Sequence, residues 1–307
     1  MDISGSVFEN LELREFTAAL ANIVATVAPE RVICLGVRTN RFEQWSAFKS
    51  QSEGYSHVTI DLLIVIGASE KRLAHEIHKS VVRYNSETLH LNAVVHGAGY
   101  VRKAVEKGNY FFSTAHRNGV QIYESHEAQK FFAPPWNNLN SSEAIFRMEK
   151  HWSTWFGLAQ LALSEAEAGI ERGEYVLSTC LLQQAAEYTC VVILRIALGY
   201  KPPMHNLRQL IELAVSVSTS VSAVFPRTTK EEKALFDALQ NALAYTRYKE
   251  GYTVSAFTAR ILAERVEELQ NIATVIYSER MAERAFALVG PEAETADAGG
   301  DGVVLFT

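Results

Sequence analysis

The sequence predicts an α+β fold in which a mixed α/β domain is followed by an all-helical bundle. Over the first 135 residues, apolar runs with a strand period alternate with patterns of helical period. Pro134-Pro135 then interrupts both kinds of element, and the pattern beyond it is helical almost throughout. We therefore expect an α/β domain at 1–135, a bundle at 136–288, and a disordered acidic tail at 289–307.

In the first half, helical periodicity and β-branched apolar runs define the elements. Helices are predicted at 8–27, 69–84 and 98–107, and strands at 31–36, 58–66, 89–95 and 119–123. The polar stretch 38–57 predicts a loop or a short helical insert between the first two strands. His75 and His78 lie three residues apart without a third ligand. This spacing predicts a solvated helix face and no metal site.

In the second half, apolar residues recur at spacings of three and four from Trp152 to Ile170, as in a core-facing helix. The next helix, 174–198, is apolar in its C-terminal half and ends at Gly199, a suitable C-cap residue. Gln183, Gln184 and Glu187 interrupt it, so we expect them to form hydrogen bonds across the bundle or to face a partner. Further helices are predicted at 205–217, 229–247 and 254–285.

Composition excludes several classes of protein. The 307 residues are 48% hydrophobic, with 29 Lys and Arg against 35 Asp and Glu, a formal charge of −6. This charge excludes a globally basic coat for duplex DNA, and we expect no binding to duplex DNA. No apolar run reaches the roughly 18 residues of a membrane span, no secretory signal is visible, and three scattered cysteines suggest no disulfide framework. We expect a cytoplasmic protein that does not bind membranes.

Gly36 after the first strand, followed by Asp61 in the strand I-D-L-L-I-V-I, resembles the polymerase-β-type nucleotidyltransferases. In that family a Gly-Ser pair cradles a nucleotide triphosphate. Carboxylates spaced two apart share one face of a strand and bind Mg²⁺ there. The resemblance implies a nucleotide-binding cleft at Gly36, Arg38 and Asp61.

The family's chemical groups are largely missing. Val37 replaces the serine, Thr59 occupies the first aspartate position, and 91–95 carries no third carboxylate. One carboxylate cannot hold two Mg²⁺ ions, so we interpret this half as a degenerate nucleotidyltransferase that needs no cofactor. Two alternatives remain: an active cleft, which would require Mg²⁺, or a turn glycine and a strand-end acid with no function. Arg38 and Arg41 would contact a phosphate or lie in an exposed loop.

The second half resembles a HEPN domain over about 145–270, on four motifs in order: Trp155-Phe156-Gly157, Gln183 to Glu187, His205 to Leu210, and Tyr245 to Tyr248. The resemblance implies a homodimer through helix faces, for which 185–198 is suitably apolar. HEPN ribonucleases place a histidine four to six residues after an arginine. Here Arg247 is present, but no histidine follows His205. We expect His205 and Asn206 to serve as a helix cap, with catalysis as the alternative.

A basic and aromatic cluster remains in place of the ribonuclease pair: Tyr245, Arg247, Tyr248, Lys249 and Tyr252. Two cations among three tyrosines are suited to holding a phosphate and stacking a base. The alternative is a solvated helix end whose tyrosines pack on the bundle. An unperturbed tyrosine, with a pKa of about 10, is a poor base at neutral pH.

These patterns favour a protein that binds a nucleotide or RNA with little or no catalytic activity, in stress or defence. One alternative is a divergent Mg²⁺-dependent nucleotidyltransferase that acts on a small molecule or a protein through Gly36, Arg38 and Asp61. Another is a scaffold whose two halves only mediate assembly.

Overall fold

The computed structural model describes residues 13–44, 53–126, 128, 141–203 and 206–289. The Pro134-Pro135 boundary, His205 and the acidic tail lie outside these residues, so the predicted division into domains stays a prediction. The first half contains α1 (Leu13–Val27), β1 (Pro29–Gln44), β2 (Glu53–Ile66), α2 (Ala74–Val82), β3 (Leu89–Gly97), α3 (Ala98–Glu106), α4 (Tyr110–Asn118) and β4 (Val120–Glu124). Of these, α4 was not predicted.

The four strands form one mixed sheet in the order β3-β2-β1-β4. β2 and β3 are parallel, whereas β1 pairs antiparallel with both β2 and β4. Successive side chains alternate between the faces of a strand. Ile60, Leu62 and Ile64 of β2 therefore pack in a core with α1 and α2, whereas Leu63 and Val65 belong to a core shared with α3, α4 and the second half.

The first two strands are much longer than predicted. The expected loop or insert at 38–57 is wrong for 38–44 and 53–57, which pair along one antiparallel ladder; residues 45–52 lie outside the described residues. A polar stretch can form a ladder because each strand satisfies the other's backbone groups. Gly36 lies within β1 at a register shift, and Asp61 lies within β2, so neither is a turn glycine or a strand-end acid.

The second half is helical among its described residues, in agreement with the predicted fold class. It contains α5 (Ser141–His151), a π-helical turn (Trp152–Phe156), α6 (Gly157–Glu171), α7 (Tyr175–Leu198), α8 (Leu207–Val215), α9 (Val221–Val224), α10 (Lys230–Gln240), α11 (Ala242–Tyr248) and α12 (Ala256–Val289). The helix predicted at 229–247 is broken at Asn241, whose side chain donates a hydrogen bond to Asp237. This break separates α11 from α10.

Helix α7 is the central helix of the bundle. Cys180, Cys190 and ten of the 14 residues of 185–198 are buried inside the chain. That segment therefore offers little free apolar surface to a second copy, and the homodimer stays a prediction. α7 is long and apolar enough to cross a membrane, but 67% of its apolar window is buried in the fold. Core helices of soluble proteins have the same properties, so this is weak evidence for a membrane span.

Polar contacts also join the two halves. His96 Nε2 lies 2.6 Å from the Tyr200 hydroxyl, and His90 Nε2 lies 3.1 Å from a carboxylate oxygen of Glu212. His78, predicted to be solvated, instead contacts the Ala93 carbonyl at 3.0 Å and the Gln209 amide of α8. It is an interface residue because its helix packs beside β3 at the seam.

Candidate functional site

Asp61 lies in β2, one of the two inner strands of the sheet. It is opposite Gly36 on β1 and opposite Asn92 on β3. The sheet register therefore brings Gly36, Arg38 and Asp61 together, as the sequence predicted. It also places Asn92 at the neighbouring position, where the resemblance would require a further carboxylate.

The Asp61 carboxylate is fully engaged within the protein. Arg38 Nη1 donates to Oδ2 at 2.6 Å and Nη2 donates to Oδ1 at 3.1 Å, while Asn92 Nδ2 donates to Oδ1 at 2.9 Å. The Asp61 side chain is 3% exposed, against 22% for Arg38. Burial raises the pKa of the Asp61 carboxyl, and Arg38 and Asn92 oppose that shift. A fork-shaped guanidinium thus occupies the oxygens that a metal ion would need.

The cavity beside Asp61 is small. It has a volume of about 180 Å³ and is walled by Leu35, Phe111, Leu198 and Leu213. Sites for small molecules usually measure about 300–1,000 Å³. A bound nucleotide at this position would require both a larger space and the displacement of Arg38.

The second predicted cluster surrounds the end of α11. A concave surface of about 410 Å³ is lined by Val176 and by every residue from Thr246 to Tyr252. Arg247 and Lys249 are exposed, and Tyr248 is 84% exposed. Gly251 turns the chain with a φ of +68°, a conformation that glycine adopts without strain. The structure therefore brings Arg247, Tyr248, Lys249 and Tyr252 to one surface.

The other two tyrosines are held from behind. Tyr245 Oη donates to Asp237 at 2.7 Å, and its ring meets that of Tyr252 edge to face at 5.3 Å. Lys249 Nζ lies 4.8 Å from the centre of the Tyr245 ring. The Asp237 hydrogen bond raises the pKa of Tyr245, and burial raises that of Tyr252. Neither hydroxyl is suited to act as a base at neutral pH.

Comparisons with known proteins identify the helical half. Residues 152–283 match the family model of the HEPN domain. The helical half is therefore similar to HEPN domains. The predicted arrangement, a mixed α/β domain ahead of a HEPN domain, is therefore confirmed.

A solved structure of a nucleotidyltransferase-like protein from Exiguobacterium sibiricum 255-15 aligns with 88% of this chain and 78% of its own. The sequence identity is 10% and the TM-score is 0.29. A TM-score of this size does not by itself establish a shared fold. The search of curated proteins finds no match.

The polar residues inside the HEPN domain connect its helices. Gln183 Nε2 donates to Glu187 at 3.0 Å, and Gln183 Oε1 accepts from the Leu243 amide of α11 at 3.0 Å. This confirms the predicted hydrogen bond across the bundle and fixes the position of α11. Asn206 caps α8 by accepting from the Gln209 amide at 3.2 Å, as predicted.

Sequence reasoning missed the role of Asn92. It was noted only as a position without a carboxylate, whereas it binds Asp61 directly. The available signal was a polar residue within the apolar strand Leu91 to Val95, since a buried amide requires a partner. Arg41 lies in β1, but its side chain lies outside the described residues.

Proposed function

We propose that this protein binds RNA or a nucleotide through the concave surface at the end of α11 and does not transfer nucleotides. The observation that supports this proposal is the exposure of Arg247 and Tyr248 on one surface backed by Tyr245 and Tyr252. A guanidinium binds phosphate oxygens with paired hydrogen bonds, and an exposed tyrosine ring stacks on any base.

The Asp61 centre supports the second part of the proposal. Arg38 balances the charge of the Asp61 carboxylate and Asn92 donates a further hydrogen bond, so the carboxylate oxygens are already engaged without a metal ion. The predicted alternative, a Mg²⁺-dependent nucleotidyltransferase acting on a small molecule or protein, needs those oxygens for Mg²⁺. A role in stress or defence rests on the HEPN resemblance alone, and homodimer formation is part of the same proposal.

The test is fluorescence anisotropy with a labelled single-stranded RNA, on the wild type, Tyr248→Ala and Arg247→Gln. Loss of one stacked base corresponds to about 1–3 kcal/mol, so Tyr248→Ala should weaken binding roughly 5- to 150-fold. Arg247→Gln should weaken binding and flatten its salt dependence. Arg14→Gln, an exposed arginine of α1, is the matched control and should bind as the wild type does.

Equal binding by all four proteins would refute the assignment of this surface. Release of pyrophosphate from a nucleoside triphosphate in the presence of Mg²⁺, lost in Asp61→Asn, would refute the absence of transfer. The two measurements are independent, so each part of the proposal can fail alone.

A further inference from the structure

A second cavity lies at the seam between the two halves of the chain. It has a volume of about 540 Å³ and is formed by α3, the start of α4, α5, and the C-terminal ends of α7 and α12. Neither Asp61 nor any residue of α11 lines it. Its volume is within the range of sites for small molecules.

The lining of this cavity is strongly basic. It includes Lys103 of α3, Lys107 at the C-cap of that helix, Arg147 of α5, Arg195 of α7 and Arg284 of α12. No aspartate or glutamate is among the described residues that line it. This concentration of positive charge occurs in a chain with a net charge of −6, so it is a local feature and does not follow from composition.

Neighbouring acids compensate this charge only in part. Arg147 lies 3.6 Å from Glu143 on the same exposed helix, and Glu283, beside Arg284 in sequence, pairs with Arg280 instead. Such exposed pairs contribute little, because water screens them. Clustered like charges repel one another, so an anion bound among them would relieve that repulsion.

Arg195 contacts an imidazole and an indole. Its Nη1 atom lies 3.4 Å from a ring nitrogen of His151, and its guanidinium lies over Trp155 at 5.2 Å. Its Nε is buried without a hydrogen-bond partner among the described residues. Burial, followed by the charge of Arg195, lowers the pKa of His151, which keeps that imidazole neutral at pH 7. Arg195 therefore adds a positive charge to the wall of the cavity, which favours an anionic ligand.

Two tyrosines complete the site. Tyr100 is 56% exposed and stacks on His96 at 4.9 Å, so the ring is supported and part of it faces outward. Tyr110 lies beneath Arg284, with 6.0 Å between the guanidinium carbon and the ring centre. An aromatic ring beside a cluster of cations is the combination that binds a base attached to phosphates.

We propose that this cavity binds a nucleoside polyphosphate, with its phosphates among Lys103, Lys107, Arg195 and Arg284 and its base against Tyr100. This site is separate from the RNA surface on α11 and does not depend on it. The ligand would contact α3 on one side and α7 and α12 on the other. Its binding therefore stabilises the packing of the two halves against each other.

The test is isothermal titration calorimetry and thermal unfolding of the full chain with ATP, ADP, AMP and inorganic pyrophosphate. We expect one site per chain, tighter binding of ATP and ADP than of AMP, and a raised Tm. Lys103→Ser combined with Lys107→Ser removes two exposed cations without touching the core, and should weaken ATP binding about tenfold or more. Lys230→Ser combined with Lys233→Ser removes the same charge from exposed positions of α10 and should leave ATP binding unchanged.

Several results would overturn the proposal. These are no binding of ATP or ADP to the wild type, equal weakening by both lysine pairs, or loss of ATP binding in Arg247→Gln. Equal affinity for pyrophosphate and ATP would overturn the contact between the base and Tyr100. Tyr100→Ala tests that contact directly and should weaken the binding of ATP but not of pyrophosphate. Loss of RNA binding with retained ATP binding in Tyr248→Ala would support two separate sites.

Discussion

The ion pair between Arg38 and Asp61 gives the sharpest test of the Asp61 centre. Replacing Arg38 with Met keeps most of the side-chain volume but removes the charge that balances a nearly buried carboxylate. Breaking a buried ion pair on one side costs about 3–5 kcal/mol. Asn92 keeps one hydrogen bond to Asp61, and the Arg38 side chain is 22% exposed. We therefore expect a loss near the lower limit, about 3 kcal/mol at pH 8.

The pH dependence of this loss identifies its cause. Burial already raises the pKa of Asp61, and removing Arg38 raises it further. The folded variant then binds a proton more readily than the unfolded chain, whose aspartates have a pKa of about 3.9. The loss of stability is full above the folded-state pKa and shrinks as the pH falls below it, because the neutral carboxyl needs no counter-ion.

Urea unfolding followed by tryptophan fluorescence and circular dichroism at pH 8 and pH 5 measures this effect. A loss of about 3 kcal/mol should lower the urea midpoint by roughly 1 M or more at pH 8, and by less at pH 5. Arg14→Met, on the exposed face of α1, should stay within about 0.5 kcal/mol of the wild type at both pH values. An Arg38→Met variant as stable as the wild type, or equally destabilised at both pH values, would refute the buried pair.

Two further predictions concern packing and protonation. A Cβ at Gly119 would lie 2.4 Å from a backbone carbonyl of α4 and 2.5 Å from Ile33, whereas one at Gly157 would meet nothing within 4 Å. Gly119→Ala should therefore cost about 1–3 kcal/mol in urea unfolding and Gly157→Ala should cost nothing; equal effects would contradict this packing. Burial lowers the pKa of His96 to about 4, so its contribution to stability is complete above the unfolded pKa of about 6.5. That contribution of about 3 kcal/mol is lost as the pH falls from 6.5 to 4. His96→Gln, which can still bond to Tyr200, should reduce the dependence of the unfolding free energy on pH in this range. An unchanged dependence would show that other groups cause it.

The sequence predicted the order of the main helices and strands because their apolar residues follow clear periods. It did not predict how far β1 and β2 extend. Polar residues such as those of 38–44 occur both in loops and in paired strands, so their composition does not distinguish the two. The break at Asn241 was not predicted, because the helical period of the apolar residues continues through it. The contact of Asn241 with Asp237 is visible only in the structure.

The Asp61 centre could be predicted in part. The missing carboxylates were visible as Thr59 and as the absence of an acid from 91–95, and both follow from strand periodicity. The partner of Asp61 was not visible. Arg38 and Asn92 are 23 and 31 residues away from it in sequence, and only the sheet register brings all three side chains together. The sequence placed Arg38 in a polar stretch beside Gly36, where it would contact a phosphate or lie exposed, and this gave no indication of an internal ion pair.

The basic cavity shows a different limit. Its five cations come from four helices between positions 103 and 284, so no local motif contains them. The helical half has more acidic than basic residues, yet it supplies three of the five cations. The cavity depends on how α3 lies opposite the ends of α7 and α12 across it. A ligand bound there contacts both halves of the chain, so its effect on unfolding depends on the stability of the seam. We expect ATP to raise the Tm of the wild type but not that of the Lys103→Ser and Lys107→Ser variant. In that case, contacts between the phosphates and the cations of both halves stabilise the seam in addition to the shared core.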